Sequence, residues 1–270
     1  MKLYKYLNKN VIVYTFDEKK NIDSLYWESF WDSMGGWIDD TTPKTSSFNS
    51  TVALIKKFTK PRGRILEAGC GMGQYVYKLD RLGFDVYGVD SAKKTVNKIK
   101  NKYKNLKITC QELGFLSFKE EYFDTYYAGG VIEHYWDGYD QILFEAHKLL
   151  KQDGIIIITF PFMNSARRKN VESLPIISDK PENFYQFALD EMEVINNLTN
   201  KGFKIKKTAP RNGVKGLIES GIIKSEIILK LLKNLYISKN IFLRLLKKIF
   251  SIIFCRMGFG HSIEIVASKK

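Results

Sequence analysis

Ile65-Leu66-Glu67-Ala68-Gly69-Cys70-Gly71-Met72-Gly73-Gln74-Tyr75 is the stretch whose reading decides the fold. A short apolar run stops at an acid and passes into three glycines at alternate positions, and a helical pattern resumes at Tyr75. That order reads as strand, tight turn, helix. Glycines at such a turn adopt backbone angles closed to other residues and let a ligand approach the main chain without meeting a Cβ. The dinucleotide fingerprint G-x-G-x-x-G differs, because here the third glycine comes one residue early and Glu67 precedes the first. A carboxylate beside the turn repels a pyrophosphate and suits a ligand carrying positive charge, such as an ammonium or sulfonium group.

Working outward, Asp85-Val86-Tyr87-Gly88-Val89-Asp90 is a second short strand ending in an acid. In an open α/β sheet an acid at this tip accepts hydrogen bonds from ribose hydroxyls. A glycine turn together with Asp90 implies a nucleoside-bearing ligand. Leu106 to Thr109 reads as a third strand. Tyr122 to Gly129 is a fourth, running into Gly130-Val131-Ile132-Glu133-His134. Gly154 to Phe160 is a β-branched run of the kind found in strands covered on both faces, and Phe203 to Thr208 is a sixth strand. Strands alternating with helices argue for a mostly parallel, doubly wound sheet.

Taken in order, E-A-G-C-G-M-G, Y-G-V-D, F-D-T-Y-Y-A-G-G-V-I-E-H and G-I-I-I-I-T-F-P resemble the class I S-adenosylmethionine-dependent methyltransferases. The resemblance covers roughly residues 45 to 210 and returns for the last strand. It implies an α/β fold with a seven-stranded, mostly parallel, Rossmann-like sheet, formed by 45–210 and 261–270. Residues 1–44 are then an N-terminal extension and helical cap, and 211–260 a basic amphipathic helical insert. It further implies a transferase that uses S-adenosylmethionine and releases S-adenosylhomocysteine. The positions that carry over for cofactor binding are Glu67, Gly69, Cys70, Gly71, Gly73, Asp90, Glu112, Leu113 and Gly130.

Methyl transfer from a sulfonium is a direct displacement, so the enzyme aligns acceptor and methyl and, for a hydroxyl acceptor, removes a proton. Of the three histidines only His134 stands at the carboxyl end of a central strand, which makes it the base candidate. The alternative is that Glu133 and His134 cap the next helix and fix a loop. Similar O-methyltransferases that bind a metal use E-x-x-x-E-H, but the first acid of that motif falls on Gly129, and no other cluster offers ligands; no metal is expected. Arg167 and Arg168, in a long irregular stretch from Pro161 to about Phe184, could clamp an anionic acceptor or form a solvated pair. Tyr185-Gln186-Phe187 resembles a segment that lines the acceptor pocket in small-molecule members of the family. The expected acceptor is a small molecule or a carbohydrate, free or lipid-linked, methylated at oxygen. A nucleic-acid acceptor ranks second, because the N-P-P-Y type tetrapeptide is absent after the fourth strand, and a non-catalytic adenosylmethionine-binding partner protein ranks third.

Ile22 to Trp37 is dense in aromatics, with Trp27, Phe30 and Trp31 spaced to share a helix face. Thr41 to Ser50 reads as a loop. Three cysteines with no metal-type spacing, and no secretory signal at the N-terminus, point to the cytoplasm. The formal net charge is +14, and residues 201–270 hold 16 of the 43 basic side chains but three of the 29 acidic ones. Within that tail two amphipathic helices are expected, one with Ile223, Ile227, Ile228, Leu231, Leu232 and Leu235 on its apolar side, the other with Ile241, Leu245, Leu246, Ile249, Phe250, Ile252 and Ile253 opposite Arg244, Lys247, Lys248 and Ser251. Two roles stay open. The faces pack inward as a lid or homodimer contact, or residues 222–256 lie peripherally on an anionic membrane at its inner face.

Overall fold

The computed structural model describes residues 1–7, 9, 11–19, 22–33, 46–238 and 240–270. The chain opens with β1 (Lys2–Tyr6), β2 (Ile12–Thr15) and α1 (Ser24–Ser33). Strands and helices then alternate: α2 (Ser46–Phe58), β3 (Arg64–Ala68), α3 (Gln74–Asp80), β4 (Asp85–Asp90), α4 (Lys93–Lys102), β5 (Lys107–Cys110), β6 (Phe123–Gly129), α5 (Asp140–Leu149) and β7 (Leu150–Pro161). After β7 come α6 (Ser165–Asn170), β8 (Ile176–Ile177), β9 (Phe184–Ala188), α7 (Glu191–Asn200) and β10 (Phe203–Arg211). The chain ends with α8 (Gly213–Glu219), α9 (Glu226–Ile237), α10 (Ile241–Arg256) and β11 (Ser262–Lys269).

Seven strands form the main sheet in the order β10-β11-β7-β6-β3-β4-β5. β11 runs antiparallel to both its neighbours, and the other pairs are parallel. This is the mostly parallel α/β sheet that the sequence implies. Its centre shows why the β7 run is unbroken in hydrophobicity. Ile156 and Ile158 pack into the core on one face and Ile157 into the core on the other, with each side chain at most 1% exposed, because successive side chains of a strand point to opposite faces.

Two expectations are corrected. A second, four-stranded sheet, β8-β1-β2-β9, joins the N-terminal strands to the segment after β7. The stretch from Pro161 to Phe184 is therefore not irregular: it contains α6 and β8, and it accepts from β1 and the residue after it through Lys5 N–H to the Pro175 carbonyl and Leu7 N–H to the Ile177 carbonyl. Ahead of α1 the N-terminal extension holds the two strands β1 and β2. Residues 34–45, with Trp37 and the first part of the expected Thr41–Ser50 loop, lie outside the described residues, while Ser46 to Ser50 are already helical in α2.

β3, β4, β6 and β7 all present their carboxyl ends at one edge of the sheet, and in such sheets ligands bind outside that edge. The register continues to β10, because Arg211 pairs with Ser262, which pairs with Pro161 at the end of β7.

Candidate active site

The glycine turn is stitched to the next strand by its own backbone. The N–H groups of Gly69 and Cys70 both donate to the Val89 carbonyl, at 2.9 and 2.8 Å. Gly71 N–H donates to Asp90 Oδ2 at 2.7 Å, and Ala92 N–H to Asp90 Oδ1 at 2.9 Å. On the other side Glu67 Oε2 accepts from Val76 N–H at 3.0 Å. Two buried carboxylates thus brace the turn, and Gly69, Gly71 and Gly73 all have positive φ (+74°, +49° and +72°), a region that glycine enters without strain.

Beyond the turn lies a pocket enclosing about 490 Å³, bulk solvent at its mouth included. Gly69, Asp90, Glu112, Leu113, Gly130 and His134 line it, so six of the positions singled out from the sequence converge on one cavity. Glu67, Cys70, Gly71 and Gly73 are not among the lining residues. The reason is local. The Glu67 carboxylate turns back onto α3, Cys70 Sγ packs where a Gly88 Cβ would come within 3.0 Å of it, and a Cβ on Gly73 would strike Ile108 at 2.8 Å. Gly71 lies under Trp31, whose ring stands 2.5 Å from where its Cβ would be. These four shape the turn behind the wall instead of facing into the pocket.

The remaining lining residues are Trp27, Trp31, Ser91, Gln111, Val131 and Tyr135. The sequence marked the two tryptophans as an aromatic helix face, in a segment that the resemblance makes a cap over the cofactor. α1 brings them there because Glu28, itself buried, accepts from Lys94 N–H at 2.9 Å and pairs with Lys94 Nζ at 3.2 Å. The N-cap of α4, Ala92, has no side-chain hydrogen bond to offer, so Glu28 serves the first turn of α4 from a neighbouring helix. Trp31 Nε1 is buried with no hydrogen-bond partner among the described residues.

Burial sets the charge states. The Asp90 carboxyl is pushed above the usual carboxylate range by desolvation, although its two backbone N–H bonds pull the other way. Glu112 is raised by burial and then by the nearby Asp90 charge. His134 is lowered to about 4 by burial, opposed by its bond to the Tyr185 carbonyl. Its Nδ1 lies 2.8 Å from that oxygen, so Nδ1 carries the proton and donates, and Nε2 keeps the lone pair. The ring is held between Trp27 and Tyr185, at centroid distances of 4.9 and 5.1 Å. Neighbouring Glu133 is raised to about 8 by burial, and is neutral at pH 7.

Arg167 is neither a clamp nor solvated. Its guanidinium is buried and bonded to the Phe162 and His261 carbonyls, each at 2.7 Å, while Arg168 pairs with Asp190 at 2.9 Å. Among the described residues no group of three or more His, Cys, Asp or Glu is placed to hold a metal ion.

A family model described as a methyltransferase domain matches residues 66–158, the span from the glycine turn through β7. By this match, residues 66–158 are similar to a methyltransferase domain. The chain is 27% identical over 145 residues to a probable S-adenosylmethionine-dependent methyltransferase of Mycolicibacterium smegmatis, and the match spans about half (53%) of each chain. Among solved structures it shares its fold with the [4+2]-cyclase SpnF (TM-score 0.59, 14% identity, 95% of this chain and 98% of that one). It also shares it with 1,6-didemethyltoxoflavin-N1-methyltransferase of Burkholderia thailandensis, solved with 1,6-didemethyltoxoflavin and S-adenosylhomocysteine (TM-score 0.55, 14% identity, 100% of both chains).

The pocket fits the cofactor on its own terms. The Asp90 carboxylate suits a ribose diol, the Glu112 carboxyl an exocyclic amine, and the unpartnered Trp31 N–H an acceptor atom supplied by the ligand.

Proposed function

We propose that this chain transfers the methyl group of S-adenosylmethionine to a hydroxyl of a small-molecule or carbohydrate acceptor, free or lipid-linked, with His134 as proton acceptor. The observation that carries the reading is the fixed tautomer of His134 in the wall of the pocket that holds Asp90. When bound, the cofactor supplies an electrophilic methyl on a positively charged sulfur.

Asp90 and Glu112 hold the nucleoside end, and the Trp27 and Trp31 indoles exclude water and favour a cation beside them. A hydroxyl acceptor that took up this methyl group would become strongly acidic, and the Nε2 lone pair of His134 would receive its proton. An imidazole at about 4 is a weak base, but it is fully neutral at pH 7 and sufficient for a proton that acidifies during transfer. The Tyr185 carbonyl then stabilises the imidazolium through Nδ1.

SpnF is named a cyclase on the same fold, so the fold alone does not establish methyl transfer. The test is incubation of the protein with radiolabelled adenosylmethionine and metabolite, lipid-extract and RNA pools. Label in the small-molecule or lipid-linked sugar fraction, lost with His134→Asn, supports the reading; label in RNA, or at a nitrogen by mass spectrometry, overturns it.

A further inference from the structure

Helices α9 and α10 bury no side chain. Of the 23 exposed large hydrophobic side chains among the described residues, 14 lie between Ile222 and Met257. On α10, Phe242, Leu245, Ile249 and Ile252 recur at spacings of three and four and so share a face, and all four are exposed, Phe242 at 64%. The inward side of the same helix is mixed, its half-buried residues being Arg244, Leu246, Lys247, Ser251, Phe254 and Cys255. Ser251 Oγ accepts from Gly213 N–H of α8 at 2.8 Å, and Lys247 Nζ donates to the Tyr236 carbonyl of α9 at 2.8 Å. The approach is so close that a Cβ on Gly213 would lie 2.3 Å from the Ser251 carbonyl oxygen. α10 is docked through this mixed side, anchored by the Ser251 and Lys247 bonds, and faces the Phe242, Leu245, Ile249 and Ile252 stripe outward; Ile227, Ile228 and Leu231 of α9 are exposed with it.

A contiguous apolar surface of this kind marks a contact site, and its charge selects the partner. Residues 222–257 contain eight Lys or Arg and one acid, Glu226. Lys224, Lys230, Lys233, Lys248 and Arg256 are exposed. A second copy of the chain would press two such sets of like charge together. An anionic bilayer accepts both features, taking the Ile, Leu and Phe side chains into the boundary between headgroups and acyl chains and the Lys and Arg side chains among the phosphates. We propose that α9 and α10 dock this chain peripherally on an anionic membrane surface. The mode is interfacial, since α10 has 16 residues and no helix among the described residues is long and apolar enough to cross a membrane.

The register fixes where this surface stands. The α8–α10 insert leaves the sheet between Arg211 and Ser262, which are paired with each other and, through Ser262, with Pro161. It therefore springs from the edge on which the pocket opens, three strands from β6, or roughly 15 Å. The docking stands on the surface alone; that it presents the pocket to a lipid-linked acceptor rests on the methyl-transfer reading.

The experiment is flotation of the full chain with phosphatidylcholine vesicles, with and without about a third phosphatidylglycerol. Binding is expected to the anionic vesicles only and to weaken with salt. Lys230→Gln with Lys248→Gln should weaken it roughly 25-fold, at roughly fivefold per charge near the surface. Leu245→Ser with Ile249→Ser should abolish it while the thermal midpoint is unchanged, because both positions are exposed. No flotation at low salt, equal binding to neutral vesicles, or a dimer that the serine variant splits would each overturn the proposal. Calorimetry with S-adenosylhomocysteine without vesicles separates the two readings: flotation without cofactor binding leaves the docking and removes the methyltransferase reading.

Discussion

Glu133 and His134 are adjacent, the first buried and the second half-buried, and perturbed in opposite directions, so their variants should give opposite pH signatures in stability. The folded His134 titrates at about 4, below its unfolded value of 6.5. Between those values the unfolded chain binds a proton that the folded chain does not, so stability rises with pH across the window. The folded Glu133 titrates at about 8, above its unfolded value of 4.5. From 4.5 to 8 the folded chain holds the extra proton, and stability falls as pH rises. At about 1.4 kcal/mol per pH unit for one proton, the two contributions cancel between 4.5 and 6.5. Replacing His134 by Asn keeps a donor for the Tyr185 carbonyl and removes the rising contribution. Relative to the parent, that variant should lose about 3 kcal/mol between pH 4.5 and 6.5. Glu133→Gln should gain about as much over the same interval. Urea denaturation at half-unit pH steps measures both, and the pH-independent cavity cost drops out of the differences. Flat difference curves would refute the half-buried, neutral imidazole on which the base assignment stands.

Four further outcomes are expected. On the identified acceptor, His134→Asn should lower kcat about a hundredfold while leaving S-adenosylhomocysteine affinity unchanged, as for loss of a role made only in the transition state. Asp90→Ala removes a charged acceptor and should cost roughly 1.5 to 3 kcal/mol of S-adenosylhomocysteine binding by calorimetry, and tighter binding of NAD would sink the cofactor assignment. Because burial raises Asp90, that binding should weaken on acidification at pH values above the ordinary carboxylate range, whereas a midpoint below it would contradict the burial. Trp31→Phe should weaken S-adenosylhomocysteine by roughly tenfold or more, since it removes the unpartnered N–H; an unchanged affinity would assign Trp31 to packing alone.

What the sequence made legible follows from what is local. Three alternate glycines after an acid can form only a few turns, and the Asp90 tip is fixed by strand length, so the turn and its neighbouring strand end could be placed from residue order. Which way Glu67 points is not local: the strand pleat and the α3 backbone, nine residues on, decide that its carboxylate braces the turn instead of facing the ligand. The two tryptophans were visible as a helix face, but the pocket they cover depends on Glu28 meeting the α4 N-terminus 66 positions away. The insert sharpens the point. A helical wheel separates the apolar side of α10 from Lys247 and Ser251, yet it carries no sign saying which side meets the protein. That sign comes from Gly213, whose missing side chain lets the α8 backbone reach Ser251 and whose N–H binds it there. With an alanine at 213 the new Cβ would meet the Ser251 carbonyl oxygen, 2.3 Å from its ideal position, and α10 would have to lift from α8. Gly213→Ala should therefore lower the thermal midpoint and raise proteolysis within 222–256; an unchanged midpoint and cleavage pattern would mean that another contact sets the orientation of the helix.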